Sequence, residues 1–397
     1  MTLIISSTGL GVLADAIYTL CIAWYILEET NSAFLTSVIY TISFIVNVIF
    51  GPFIGVLVDR TSPKKAMFKA YLVLALIGLI LIAAYLLINN LIIFIVLAMV
   101  ILNDVAQAFI NPSVGRMLPR LVGMKKIVVV NGYMSSVERS ASVLGKAIAG
   151  ILFSFIGFIG VMLTHSIIFL LASLLTTWLV LPKSLNKKNE KKVLTRKNYL
   201  AELKEGINTL KQQKTLLILS LMNMGVNVIS VGHLYIVIFK TQYGANATQY
   251  GLLEASGIGV SILAGLFVGR LAKKIKPIIT LSFSNIIAGL CMILIGFFDQ
   301  LMIAVILLSI QMICSVFYGV VFGTLLITLV KEEFRARIDS LVVSISASIM
   351  PVTVLLGGYL ADVIPVRYIF YVAGTWVILM SALPLLSKET RKIERIS

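Results

Sequence analysis

The sequence predicts an all-α integral membrane protein of twelve transmembrane helices in two six-helix halves. Three observations predict it. The 397 residues are 59% hydrophobic and only 13% charged, with a mean hydropathy of +1.03. The apolar residues run continuously over stretches long enough to cross a bilayer, which takes about 20 residues. The basic residues cluster in every second connection between those stretches. A soluble domain carries about 25% charged residues, so the composition excludes a water-soluble enzyme and a disordered chain. Barrel strands are excluded because the runs do not alternate and are far longer than such strands.

The runs fall at 2–27, 32–58, 66–88, 91–115, 127–155, 157–181, 214–239, 247–270, 277–298, 300–329, 337–361 and 365–387. They predict an N-terminal half over 1–181, a cytoplasmic linker over 182–213, a C-terminal half over 214–387 and a cytoplasmic tail over 388–397. The first run starts at once, without a basic segment before it. It is also too long for the core of a signal peptide, so no cleavable leader is read.

Charge fixes the expected orientation. Of the 33 Lys and Arg residues, 29 fall in the even-numbered connections, the segment 182–214 and the tail; Lys240 and Arg367 alone face the other way. Arg139 and Lys146 lie inside a run. Such a split places both termini in the cytoplasm of a cell-membrane protein. The formal charge of +16 then needs no nucleic acid to explain it. Attraction to anionic membrane lipids is a sufficient secondary reading. In the linker, Leu200, Leu203, Ile207 and Leu210 recur at three- and four-residue steps, with Lys204, Glu205 and Lys211 on other faces. That pattern predicts an amphipathic helix on the cytoplasmic membrane surface over 198–213.

Cys21, Cys291 and Cys314 all sit in apolar runs. Their odd number argues against a disulfide framework, and they read as small buried hydrophobes. No nucleotide-binding glycine loop occurs, no Cys/His cluster suggests a metal, and no hydrolytic constellation or cofactor is implied.

The halves contain a repeat. Gly55-Val-Leu-Val-Asp59-Arg60 ends the second run and is followed by Lys64-Lys65; Gly265-Leu-Phe-Val-Gly269-Arg270 ends the eighth and is followed by Lys273-Lys274. Two such halves fit a secondary transporter with a central site. The stretch from Gly55 through Asp59, Arg60, Lys64 and Lys65 resembles the loop signature of the major facilitator superfamily. The resemblance implies a gating motif: Gly55 permits close helix contact, and Asp59 latches to a helix terminus or a basic neighbour such as Lys65. The second copy holds Gly269 in place of Asp59, so the expected latch is one-sided.

A closer resemblance runs over nearly the whole chain. Ser32-Ala33, Asn111-Pro112, Leu118-Pro119-Arg120-Leu121-Val122, Asn131-Gly132-Tyr133, Glu202-Leu-Lys-Glu-Gly206 and Arg335-Ala-Arg337-Ile338 follow one another in the order seen in the macrolide-efflux branch of that superfamily. Siderophore exporters are among its relatives. The resemblance implies export of a hydrophobic, often cationic, small molecule. The chain departs from the superfamily pattern at Asn103, where helix 4 often has Arg. It departs again at Gly145-Lys146, where helix 5 usually has Gly-Pro.

Ionisable residues inside the membrane are the best functional pointers, since each costs about 3 kcal/mol or more facing lipid. The candidates for proton coupling or substrate binding are Asp15, Asp104, Glu138, Arg139, Lys146 and Glu254. A carboxylate in an apolar cavity is able to take up and release protons near neutrality. Asp15 serves either that chemistry or a structural hydrogen bond to helix 4 or 5, and Asp104, beside Asn103 and Gln107, stands between the same readings. Glu138 and Arg139 point about 100° apart and do not pair. Arg139 and Lys146 share a face and call for carboxylates, with Asp15 and Asp104 as natural partners. Lys146 and Glu254 both sit in the outer halves of their helices and are expected to form an outer gate. His165 and His233 read as satisfied hydrogen-bonding residues. Tyr18, Trp24, Tyr25, Phe44, Met222, Met224 and Tyr235 are candidates for an apolar, aromatic cavity lining.

The expectation is therefore a monomeric transporter, not an enzyme, exporting a macrolide-like drug by proton antiport and alternating access. Its partners would be a small-molecule substrate, protons and membrane lipids. The alternatives are export of an endogenous metabolite such as a siderophore, uptake, or a non-transporting membrane receptor or auxiliary protein.

Overall fold

Helix boundaries follow from a few residues. Ser32 starts one helix by accepting a hydrogen bond from the Leu35 N–H (3.1 Å), one of the orphan donors a helix start must satisfy. Pro63 and Pro277 each open a helix at a position where the missing N–H costs nothing. Asn31, with φ 49°, ends the first helix in the left-handed conformation.

A computed structural model describes residues 1–88, 91–123, 126–180, 214–272, 275–329, 349–391 and 393, without the side chains of 52, 59, 128, 270–272 and 327. The described residues form α1 (Thr2–Thr30), α2 (Ala33–Arg60), α3 (Pro63–Leu87), α4 (Ile92–Gln107), α5 (Ile110–Val122) and α6 (Ile127–Thr177). After the linker come α7 (Lys214–Val228), a 3₁₀ turn (Gly232–Leu234) and α8 (Tyr235–Thr241). Then follow α9 (Ala247–Ala272), α10 (Pro277–Phe297), α11 (Leu301–Leu329), α12 (Ile349–Val363), α13 (Val366–Leu386) and α14 (Lys388–Arg391). No strand occurs among the described residues. The predicted amphipathic helix over 198–213, and the first part of the run at 337–361, lie outside them.

Among the described residues ten spans are long and apolar enough to cross a membrane, and α12 adds a shorter apolar helix. The span Val129–Thr177 has 49 residues, about 74 Å at helical rise. That is two crossings. The division falls at Gly157 (φ 62°, ψ −169°), a backbone state that only glycine adopts readily. Contacts with α1 show that the chain reverses there. Gly9 meets Val137 and Ala16 meets Gly145, so the first leg runs along α1. Tyr25 then meets Phe158 and Tyr18 meets His165, so the second leg runs back. The twelve apolar runs are thus accounted for.

Two predicted runs are interrupted. The run at 91–115 breaks between Gln107 and Ile110. Pro112 lacks an N–H for the Ala108 carbonyl and its ring crowds that position. The run at 214–239 breaks after Val228 and resumes through the 3₁₀ turn.

The chain divides into two compact units, Met1–Lys191 with Asn246–Ala255, and Lys192–Ala245 with Ser256–Ser397. In the first, α1 is the core element, and from Ala16 to Leu27 all but Thr19 are buried. A methyl on Gly145 would lie 2.7 Å from Ala16 Cβ and 2.8 Å from the Leu13 carbonyl oxygen, so α1 and α6 touch backbone to backbone. In the second unit, α10 crosses α13 the same way. A methyl on Gly289 would fall 2.7 Å from the Gly374 oxygen, and one on Gly374 falls 2.4 Å from the Gly289 oxygen. Small residues drive helix packing in lipid, where burial of apolar surface supplies no force of its own. The outer faces carry exposed Val48, Ile49, Phe53, Leu266 and Phe267, as lipid-facing surfaces require. Cys21, Cys291 and Cys314 are buried free thiols.

Candidate functional site

Asp15, Asp104 and Glu138 come from α1, α4 and α6, yet all three line one cavity of about 410 Å³ in the first unit. On α1 the lining residues Thr8, Gly11, Val12, Asp15 and Thr19 follow one helical stripe. Ser43 and Asn47, one turn apart on α2, add the opposite wall.

Both aspartates are held by neutral donors. Gln107 Nε2 donates to Asp15 Oδ1 (2.7 Å) and Ser43 Oγ donates to Asp104 Oδ2 (2.7 Å). Asn103 is a further hydrogen-bonding side chain beside both carboxylates. Nearby, Tyr71 donates its hydroxyl to the Ser7 carbonyl (3.1 Å). Asn103 is buried, and its Oδ1 has no hydrogen-bond partner among the described residues.

The expected pairing of Arg139 and Lys146 with these aspartates does not occur. Arg139 is exposed and lies outside the cavity lining. Lys146 turns to Glu254 instead, with Nζ 2.6 Å from Oε2. Tyr250, one turn before Glu254, donates its hydroxyl to Oε1 (3.2 Å). The reason lies in the backbone. A methyl on Gly150 would sit 2.3 Å from the Ala247 oxygen, and one on Gly251 would sit 2.6 Å from the Lys146 oxygen. The helices bearing Lys146 and Glu254 therefore cross in direct contact, within reach of a short ion pair. Thr248 Oγ1 adds hydrogen bonds to the Gly150 carbonyl (3.1 Å) and to Ser154 Oγ (2.7 Å).

The cavity is polar, not the apolar and aromatic chamber expected. Tyr71 is its one aromatic residue; Tyr18, Trp24, Tyr25 and Phe44 do not line it. Tyr25 packs with Tyr85 and Phe158, and Trp24 with Tyr250. Met222 belongs to the apolar core of the second unit, and Tyr235 is buried there with its hydroxyl on Gln311 Oε1 (2.5 Å). His165 also departs from expectation. It is buried between Tyr18 and Phe169, and neither ring nitrogen has a hydrogen-bond partner among the described residues.

The gating motif divides its residues among several tasks. Lys64 Nζ donates to the carbonyls of Thr177 (2.7 Å) and Leu179 (2.6 Å), capping the end of α6. Arg116 does the same for α2, donating to the carbonyls of Val58 and Thr61. Arg60 and Lys65 are exposed. Gly55 was expected to allow a close helix contact, but a methyl there would meet nothing within 4 Å. The Asp59 side chain, and with it the Asp59–Lys65 latch, lies outside the described residues.

Sequence reasoning missed Ser43, Asn47, Thr8 and Thr19. A signal was present: polar side chains at four-residue spacing inside otherwise apolar runs mark a face turned away from lipid.

The sequence profile of the Major Facilitator Superfamily matches residues 4–332 and 216–397. Macrolide efflux protein A of Streptococcus pyogenes is 26% identical over 393 residues, covering 97% of this chain and 95% of that protein. Macrolide efflux protein A of Enterococcus faecalis is 26% identical over 320 residues, covering 78% of this chain and 96% of that one. Among solved structures, a bacterial homologue of the human lysosomal transporter Spinster, inward-facing and unoccupied, superposes with a TM-score of 0.76 at 14% identity. That match covers all of this chain and 98% of the other.

Proposed function

The chain belongs to the Major Facilitator Superfamily, and on that premise we propose that it exports a hydrophobic or amphipathic small molecule of the macrolide type by proton antiport. It is a multi-pass membrane transporter and not an enzyme. The convergence of Asp15, Asp104 and Glu138 on one cavity carries the proposal. Both aspartates line the cavity with oxygens held by neutral side chains, Gln107, Ser43 and Asn103. A proton and a cationic group on the substrate would compete for those oxygens, and such competition is the basis of exchange. Buried carboxylates facing a cavity are the usual bearers of this chemistry in membranes.

The rest of the cycle follows from the same reading. Two six-helix halves, 1–181 and 214–387, joined by 182–213, rock about a central site. Lys146 and Glu254 close the outer side, and the motif from Gly55 to Lys65 closes the inner. Both termini lie in the cytoplasm by the positive-inside rule, and the protein works as a monomer in the cell membrane. Export of an anionic metabolite such as a siderophore fits less well. It would need Arg139 and Lys146 as ligands, and Lys146 already holds Glu254.

The test is proton release from inverted membrane vesicles, read with a pH dye, as macrolides, lipophilic cations and siderophores are added in turn. Release on adding a macrolide supports the proposal. Silence across the panel, with the protein present in the membrane, sinks it; release with siderophores alone moves the cargo to the metabolite class.

A further inference from the structure

The facing ends of α2, α3 and α4 enclose a groove of about 640 Å³ in the first unit, separate from the carboxylate cavity. Leu57 and Phe109 give it apolar walls, and the short side chains of Ala66 and Ala70 leave its volume open. Lys65 and Lys69 stand one turn apart on α3 and line the same groove. Both are exposed, and among the described residues neither takes part in an ion pair. Their neighbour Lys64 differs, since its ammonium is committed to two carbonyls of the α6 end.

Two exposed ammonium groups, unpaired among the described residues, thus stand over an apolar slot at the end of three membrane-crossing helices. A free anion would have no use for the apolar walls. A neutral hydrophobic molecule would have none for the lysines. A lipid with an anionic headgroup matches both, its chain against Leu57 and Phe109 and its phosphate between Lys65 and Lys69. We propose that this groove binds an anionic phospholipid from the adjacent leaflet, which the positive-inside rule makes the cytoplasmic one. The proposal does not depend on what the protein transports.

Native mass spectrometry of the full-length protein tests it, with phosphatidylglycerol, phosphatidylethanolamine, inorganic phosphate and a macrolide titrated separately. The wild type should hold phosphatidylglycerol in preference to the other three. Each basic side chain at an anionic headgroup is worth roughly a fivefold change in binding, so Lys65→Gln/Lys69→Gln should weaken phosphatidylglycerol by about twenty-five-fold. Ala66→Leu, which fills the slot without changing charge, should weaken it as well. Lys126→Gln/Lys388→Gln removes two exposed cations outside the groove and should leave it unchanged. Equal weakening in that control pair would reduce the effect to diffuse surface charge and overturn the proposal. So would full affinity in the Lys65/Lys69 variant, binding of phosphate as tight as that of the lipid, or a macrolide alone depending on the two lysines.

Discussion

Lys146 Nζ lies 2.6 Å from Glu254 Oε2, and the two residues sit 108 positions apart in the chain. Their side chains are 32% and 17% exposed, so the pair is largely shielded from water. Removing one member strands the other charge, at a cost of about 2 kcal/mol for a pair this enclosed. Lys146→Met and Glu254→Gln should each lower the thermal midpoint of the purified protein. The double variant should lose less than the two single losses combined. Strictly additive losses would show that the pair contributes no coupling.

Thr248 Oγ1 and Ser154 Oγ are 2.7 Å apart, close enough for cysteines at both positions to be bridged with little backbone movement. Oxidising a Thr248→Cys/Ser154→Cys variant should lock α6 to the start of α9. Substrate-driven proton release should then stop, and return on adding a reductant. Transport that continues at full rate in the cross-linked protein would remove this contact from the transport cycle.

Asp15→Asn, Asp104→Asn and Glu138→Gln should each bring substrate-driven proton release in vesicles near background. Ser43→Ala removes the hydroxyl donor from Asp104, costing about 1–3 kcal/mol if the oxygen it leaves stays dry. It should shift the pH dependence of release while leaving the protein folded. If all three carboxylate variants keep full proton-driven transport, the cavity is not the coupling site.

Lys64 and Lys65 are adjacent, but the structure gives them different work. Lys64→Met removes two charge-assisted hydrogen bonds at the end of α6, worth about 1–2 kcal/mol at this partly exposed position. Amide exchange over residues 174–180 should accelerate. Lys65→Gln should leave that exchange unchanged, because Lys65 makes no such contact. Matching exchange in both variants would refute the capping role.

Gly55→Ala should be tolerated. The added methyl meets nothing within 4 Å, and alanine favours helix over glycine by about 0.5–1 kcal/mol. A variant that folds with an equal or higher thermal midpoint but fails to transport would assign Gly55 to a conformation other than this one.

The fold was legible because run length and charge asymmetry are one-dimensional properties. They survive without knowledge of neighbours. Depth along a helix is one-dimensional too, and that is why Lys146 and Glu254 could be paired from their shared position in the outer halves of their runs. Rotation about the helix axis is not. Whether Tyr25 faces a cavity or Phe158, or whether Arg139 turns toward Asp15 or away, depends on which helices pack alongside. The same blindness hid Ser43 as the donor to Asp104 and left Gly55 assigned to a contact it does not make. The break before Ile110 was partly legible, since Pro112 announces it.

The reversal at Gly157 leaves almost nothing outside the bilayer. Phe155 and Ile156, immediately before it, are 84% and 48% exposed, and apolar side chains at that position favour the interface over bulk water. On this side of the membrane the tip of α6 gives an antibody no loop to grip and a protease no strand to cut. Topology mapping by tags or cleavage would have to use the connection at 242–246 instead, where Gly244 and Asn246 are exposed. During synthesis the two legs would enter the membrane as one hairpin, because no spacer exists to let the first settle before the second emerges.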